Sequence, residues 1–188
     1  LIRDAKKRGI RVTAEATPHH FTLTDKAVLD YDTNAKVNPP LRSEEDVEAI
    51  KEGLRDGTID VIATDHAPHS EDEKKVEFDL APFGISGLET ALPLSLKLVK
   101  DGVLTLPELI KKLTLNPARI IGIQRGTLRV GSAADVVVFD TDKVVKVDRY
   151  RFRSKGKNTP FHGWELSGCV IYTIVGGKIV YSYNVCCF

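Results

Sequence analysis

Residues 59–64 form a short, largely apolar run, and this run constrains the fold of the chain more than any other feature. A strand with one face in water alternates apolar and polar side chains, whereas a strand of a parallel sheet is buried on both faces and reads as a continuous apolar segment. A helical pattern precedes the run; Ser43 can cap its start, with Asp46 three residues on, and Gly57 ends it. A strand pattern at residues 10–15 precedes that helix. This alternation predicts an α/β fold with a parallel sheet.

The character of the sequence changes near residue 123. Further helices are predicted over residues 87–100 and 105–115, the second with a capping box between Thr105 and Glu108. Beyond Gly126, short β-rich runs separated by glycines follow one another, at residues 135–139, 143–147, 169–175 and 178–183. We therefore predict an α/β part over residues 1–122 and a β-rich part over residues 123–188. Because a complete (β/α)8 barrel takes about 250 residues, a barrel would be represented here only by its last part. We expect a fragment of a longer protein, since the chain opens without Met in what reads as the tail of a helix.

The charge balance and the cysteines exclude several classes of protein. The 188 residues include 27 Lys+Arg and 26 Asp+Glu, a formal charge of +1, which argues against binding nucleic acid or an anionic membrane through a basic face. No apolar run approaches the roughly 18 residues that cross a bilayer. Cys169 and the adjacent pair Cys186 and Cys187 suit neither a disulfide framework nor a metal clip, which favours a reducing, cytoplasmic location.

The densest group of polar residues, at positions 64–69, follows the apolar run directly. It contains Asp65, His66 and His69 around Pro68. Because the loops at the carboxyl ends of parallel strands line the ligand crevice of α/β folds, Asp65 is expected where it can bind a metal or transfer a proton. In the alternative interpretation, Asp65 caps the next turn and the two histidines lie on a solvated loop.

Two other polar segments are candidates for the same crevice. His19 and His20 follow the first predicted strand; adjacent side chains of an extended segment point to opposite sides, so at most one histidine is expected to face the crevice. Asn38 precedes two prolines that hold the backbone extended and present its amide. A loop histidine and a turn-forming Asn are the alternatives. The charged run at residues 71–75 is predicted to be a solvated loop near the cleft.

Taken in order, these residues resemble the carboxyl-terminal half of the bacterial dihydroorotase family, within the cyclic-amidohydrolase group of the amidohydrolase superfamily. The resemblance extends over nearly the whole chain. The segments that carry it are residues 17–20, 36–42, 64–69, 81–84, 87–90, 116–119, 131–135 and 158–161 with Gly163.

The resemblance implies a TIM-type (β/α)8 metal-dependent hydrolase barrel joined to a β-sandwich, and the reversible cyclisation of N-carbamoyl-L-aspartate to L-dihydroorotate in pyrimidine biosynthesis. It assigns Asp65 as a zinc ligand and catalytic residue, and it assigns Asn38, His69 and the backbone of Phe83 and Gly84 to substrate binding. The family's other zinc ligands, for one or two ions, belong to earlier strands. We therefore expect the chain alone to be inactive.

Two alternatives stay open. A hydantoinase, dihydropyrimidinase or allantoinase shares the barrel and the zinc chemistry, although His69 together with residues 36–40 favours dihydroorotase. A non-catalytic dihydroorotase homologue that supports aspartate transcarbamoylase is the second, and the presence of Asp65 argues against it. The expected partners are a small-molecule substrate and either a second copy of the chain or aspartate transcarbamoylase, with no nucleic acid and no membrane.

Overall fold

The computed structural model describes residues 1–183, and the first part of the chain is built around two short parallel strands. Strand β1 (Glu15–Ala16) pairs with β2 (Val61–Ile62), with Glu15 opposite Val61. The strand predicted at residues 10–15 thus begins later than expected. Residues 56–58, which would pair with its first half, form a turn and a bend. The Ala14 carbonyl accepts the N–H groups of Asp60 and Val61, at 2.9 and 3.3 Å.

Helices surround these strands. They are α1 (Ile2–Lys7), α2 (Glu44–Arg55), α3 (Glu71–Lys74), α4 (Ala91–Lys100), α5 (Leu106–Leu113) and α6 (Leu115–Ile120). Two predicted caps are confirmed, because the Ser43 hydroxyl accepts the Asp46 N–H, and Thr105 and Glu108 form a capping box. The helix predicted over residues 105–115 is followed by α6 after an irregular residue, Thr114. Within residues 1–183, no helix has the length and apolar content to span a membrane.

The β-rich part forms an antiparallel sheet of β3 (Val136–Lys146), β4 (Glu165–Val175) and β5 (Lys178–Ser182), with β4 in the centre. The two runs predicted near residues 135–139 and 143–147 are one strand, interrupted by a bulge after Asp140. The carboxylate of Asp140 accepts the N–H groups of Asp142 and Lys143 there, which stabilises the extra residues of the bulge. The predicted tail with Cys186 and Cys187 lies outside the described residues.

Two apolar clusters hold the chain together. The first packs Leu54 of α2 and Leu109 of α5 against the strands, where each is almost fully buried. The second joins Val37, Ile85 and Leu94 to side chains of the β-rich part, with Phe161 at its centre. The segment around residue 160 therefore packs directly beneath the loops that follow the parallel strands.

Candidate active site

Asp65 follows the carboxyl end of β2 in an unusual backbone conformation. Its φ of 47° lies in the left-handed region, where a residue with a Cβ is strained and where functional residues are often found. The carboxylate is exposed, and no hydrogen bond or ion pair joins it to any other residue of 1–183. The capping alternative therefore has no hydrogen bond to support it, and the carboxylate is available to a ligand.

His66 has a structural role. Its Nδ1 accepts the N–H of Gly87 at 3.1 Å and that of Leu88 at 3.4 Å, so the proton of the neutral ring is on Nε2. These bonds join the backbone at residues 87–88 to the loop after β2. The helix predicted to begin at residue 87 begins only at Ala91, after a turn over residues 88–90.

His69 and Phe83, both predicted to bind substrate, contact each other. The Nε2 of His69 lies 3.0 Å from the Phe83 carbonyl oxygen, and because a carbonyl only accepts, Nε2 carries the proton. The Nδ1 atom lies 3.6 Å from the carboxylate of Glu73. Gly84 follows Phe83 directly, and its N–H donates to the Lys36 carbonyl at 2.9 Å. The structure thus brings His69, Phe83 and Gly84 together.

Gly84 fits where no other residue does. Its φ is +141°, and a Cβ added to it would lie 2.5 Å from the Cβ of Ala67 and 2.8 Å from the Ala67 carbonyl oxygen. Both distances are far below van der Waals contact. The close approach of residue 84 to the loop after β2 therefore requires glycine.

Two lysines contact the segment around Phe83, one through the backbone and one through the ring. The Nζ of Lys74 donates to the carbonyl oxygens of Thr33 and Pro82 at 2.9 and 2.7 Å, and its burial lowers the pKa of this amine to about 8. The ammonium of Lys36 lies 4.7 Å from the centre of the Phe83 ring, within the range of a cation–π contact.

The prediction of a solvated loop at residues 71–75 was wrong. These residues form α3, which begins at Ser70 with a capping box closed by Glu73. The helix turns Lys74 inward, where its side chain is only 4% exposed. The charge pattern alone did not reveal that one lysine of the run serves as a buried donor.

Asn38 lies on a neighbouring loop and is exposed, with a cis peptide bond to Pro39. Within residues 1–183 its amide makes no hydrogen bond, so the amide is available to a ligand. His20 joins the Asn38 loop to the loop after β1. Its Nε2 donates to the Pro39 carbonyl at 2.8 Å, and its Nδ1 accepts the Thr17 hydroxyl at 2.7 Å.

The adjacent residues His19 and His20 were predicted to point to opposite sides, and this prediction was wrong. Residues 17–23 form a turn closed by the Leu23 N–H on the His19 carbonyl, so the rings of His19 and His20 lie 4.5 Å apart. His19 is 2% exposed, and burial, assisted by the neighbouring His20, lowers its pKa to about 3. Its Nε2 has no hydrogen-bond partner in the described residues. His19 is thus a neutral core residue.

Asn158 was not predicted as a functional residue, although it begins a segment that resembles the family. Its Oδ1 accepts the His69 N–H and the Ser86 hydroxyl, each at 2.8 Å. Its Nδ2 donates to the carbonyl oxygens of Ala67 and Gly84 at 3.0 and 2.9 Å. This buried amide from the β-rich part thereby joins the two loops that contain His69 and Phe83.

Asp65 is the metal-binding candidate within residues 1–183. No group of three His, Cys, Asp or Glu side chains in that part of the chain comes close enough to hold a metal ion. An exposed, unpaired carboxylate suits one ligand position of a zinc site, where oxygen donors from Asp or Glu are common. The remaining donors of such a site would have to come from other segments.

Comparison with known proteins relates nearly all of the described residues to one family. The sequence profile of the amidohydrolase family matches residues 2–180. The dihydroorotase of Syntrophus aciditrophicus (strain SB) is 62% identical over 182 residues, which are 97% of this chain and 43% of that protein. The dihydroorotase of Pelotomaculum thermopropionicum is 63% identical over 181 residues, 96% of this chain and 42% of that protein. The chain thus spans less than half the length of these relatives.

Among solved structures, the L-hydantoinase (dihydropyrimidinase) of Arthrobacter aurescens superposes with a TM-score of 0.90. The match covers 96% of this chain and 42% of that one, at 35% sequence identity. The chain therefore has the fold of the corresponding part of that protein, which confirms the predicted α/β class.

Proposed function

Since this chain belongs to the amidohydrolase family, we propose that it forms part of a dihydroorotase, which cyclises N-carbamoyl-L-aspartate reversibly to L-dihydroorotate. Sequence identity supports carbamoyl-aspartate and dihydroorotate as the substrates. Relatives named dihydroorotase are 62 and 63% identical to the chain, whereas the L-hydantoinase with the same fold is 35% identical. Both comparisons cover nearly the same residues, so the difference reflects the sequence of the shared region.

Asp65 is the proposed catalytic residue and zinc ligand. Its unpaired carboxylate, at the end of a buried parallel strand, supports this role. When bound, zinc supplies the Lewis acidity that makes water an effective nucleophile near neutral pH. During ring opening, Asp65 accepts a proton from the attacking water and delivers it to the ring nitrogen as the carbon–nitrogen bond breaks. In ring closure the same proton moves in the opposite direction.

The substrate is held by groups on the two neighbouring loops. Asn38 offers an amide with both donors and acceptors, and the Phe83 N–H has no acceptor in residues 1–183. The Nε2–H of His69 donates to the Phe83 carbonyl without substrate, and in the complex it turns to a substrate oxygen. The Gly84 N–H remains bonded to the Lys36 carbonyl. Gly84 therefore contributes to the site because, without a side chain, it lets residues 83–84 lie against Ala67.

The complete protein is proposed to be a TIM-type (β/α)8 barrel with a β-sandwich, located in the cytoplasm. Residues 1–122 would supply the last part of the barrel and residues 123–188 part of the sandwich. Apolar side chains exposed on the β-sheet, among them Ile179, support a covering second sheet. Association with a second copy or with aspartate transcarbamoylase belongs to this proposal as well.

A hydantoinase-type activity is the second candidate, and the superposition on the L-hydantoinase favours it specifically. The two functions are separated by assaying the complete protein that carries this sequence on carbamoyl-aspartate, dihydroorotate and hydantoin, with zinc present. We expect turnover of the first two and little of the third. Preference for hydantoin would refute the proposed substrate, and no turnover of any of them would favour a non-catalytic homologue.

A further inference from the structure

Asn158 connects the two loops that contain the proposed substrate-binding residues. We propose that Asn158 is a positioning residue, which fixes the loop of residues 67–69 against the loop of residues 83–84 and thereby sets the place of His69 in the substrate site. This inference rests on the proposed function, because it concerns substrate contacts.

The chemistry of the side chain supports the assignment. A primary amide has two donor hydrogens and one oxygen with two acceptor positions. Asn158 uses both hydrogens and accepts the His69 N–H, and its oxygen also lies 2.8 Å from the Ser86 hydroxyl. It is 4% exposed, so water cannot replace a lost partner. An Asp at this position would have no hydrogen to offer the two carbonyl groups, and an apolar residue would leave the His69 N–H and both carbonyl groups without this partner.

The backbone beside Asn158 is pressed against the same loop. A Cβ added to Gly156 would lie 2.6 Å from the amide nitrogen of His69 and 2.7 Å from its carbonyl oxygen. The Ser86 hydroxyl, with one hydrogen shared between Asn158 Oδ1 and the Gly156 carbonyl, lies 2.8 Å from each oxygen, and the Ser86 N–H donates to the Asn158 carbonyl at 2.8 Å. Residues 156–158 therefore form a rigid support behind His69.

The support reaches the substrate loops but not Asp65. Asn158 bonds the backbone of His69, Ala67 and Gly84, whereas the Asp65 carboxylate makes no bond to this group. Loosening the support should displace the substrate contacts while leaving the proton-transfer group free to act. Loss of a contact made equally in the ground and transition states raises KM without lowering kcat.

The test is Asn158→Asp in the complete protein that carries this sequence, with Asn116→Asp as the matched control. Asn116 is also a partly buried amide that donates to a backbone carbonyl, that of Asp60, but at the opposite end of β2. We expect Asn158→Asp to raise KM for carbamoyl-aspartate about tenfold, with kcat within about threefold of wild type. Zinc content should be unchanged, and Asn116→Asp should leave KM unchanged.

Amide hydrogen exchange supplies a second readout that does not depend on activity. The His69 N–H should lose protection in Asn158→Asp but keep it in Asn116→Asp. Where Asn158→Asp does not fold, Gly156→Ala tests the same support, since it displaces His69 without removing a hydrogen-bonding side chain, and a similar rise in KM is expected.

Different results would refute the positioning role of Asn158 and the proposed dihydroorotase function. Wild-type protein without dihydroorotase activity would refute the function, and exchange at His69 would still decide whether Asn158 fixes the loop. Unchanged KM together with unchanged protection of His69 would overturn the positioning role. A fall in kcat at constant KM would overturn it as well.

Discussion

The His69 Nε2 atom lies 3.0 Å from the Phe83 carbonyl oxygen, across fourteen positions of sequence. This hydrogen bond fixes the tautomer of the ring and joins the loop after β2 to the next loop along the chain. The same N–H is the group expected to bind the substrate, so the bond holds a donor in place until substrate enters.

Replacing His69 tests whether the ring binds substrate. We expect His69→Ala in the complete enzyme to keep its zinc and to lose about one to two orders of magnitude in kcat/KM, since a hydrogen bond to a charged group contributes about 1.5 to 3 kcal/mol. Metal analysis and kinetics in both directions measure this. His162→Ala, on an exposed loop, is the control. Near-normal kcat/KM in His69→Ala would make His69 an ordinary loop residue.

Gly84→Ala tests the close approach of the two loops. Its methyl group would clash with Ala67, and its φ of +141° is unfavourable for alanine, so we expect a loss of about 1 to 3 kcal/mol in the free energy of unfolding. Gly163→Ala separates the two causes, because Gly163 has a φ of +87° and no atom within 4 Å of an added Cβ. Denaturant titration should show the larger loss at Gly84; equal losses would mean that the contact with Ala67 is unimportant.

Buried His19 predicts a specific acid sensitivity. Its pKa is lowered to about 3 in the folded protein, from 6.5, so between these values the unfolded chain binds a proton that the folded one does not. Stability should therefore fall as pH drops from 6.5 towards 3, by up to about 1.4 kcal/mol per pH unit from this residue. His19→Gln should flatten the dependence, measured by denaturant titration at several pH values. His162→Gln, at an exposed position, is the control and should keep the wild-type pH dependence. If the free energy of unfolding changed with pH equally in wild type and His19→Gln, the burial of a neutral His19 ring would be contradicted.

Lys74 and Lys75 are adjacent in sequence but differ in environment. Lys74→Met would leave the Pro82 carbonyl without its donor and the Thr33 carbonyl with the Lys36 N–H alone, at a cost of about 1 to 3 kcal/mol. Lys75→Met would remove only an exposed ion pair with Glu71, which typically contributes about 1 kcal/mol or less. Thermal unfolding compares the two. A similar small effect for both would show that Lys74 does not anchor the loop.

Local sequence signals predicted local structure well. The caps at Ser43 and Thr105 follow from side-chain chemistry within four residues, and the strand before Asp65 follows from its apolar run. The conformation of His19 and His20 was mispredicted because the alternation rule assumes an extended backbone, whereas a turn places both rings on one side. The strand at residues 10–15 was placed too early because strand length depends on a partner elsewhere in the sequence.

The support of the site could not be predicted in this way. Asn158 contacts His69 across 89 positions, and no periodicity or spacing connects such distant residues. Lys74 looked like one charge of a solvated run, because its role depends on carbonyl groups that the fold brings to it. Resemblance to a family identified Asp65 and His69, but the residues that hold them in place required the three-dimensional arrangement.

The most direct test of the account is Asp65→Asn in the complete enzyme that carries this sequence. The amide cannot accept a proton from water, so we expect the rate of carbamoyl-aspartate and dihydroorotate turnover to fall by roughly 10²- to 10⁴-fold or more. Circular dichroism should be unchanged, because the exposed Asp65 carboxylate bonds no other residue of 1–183. Asp72→Asn, on exposed α3, is the control. Wild-type rates in Asp65→Asn would remove Asp65 from the mechanism and contradict the proposed function of this site.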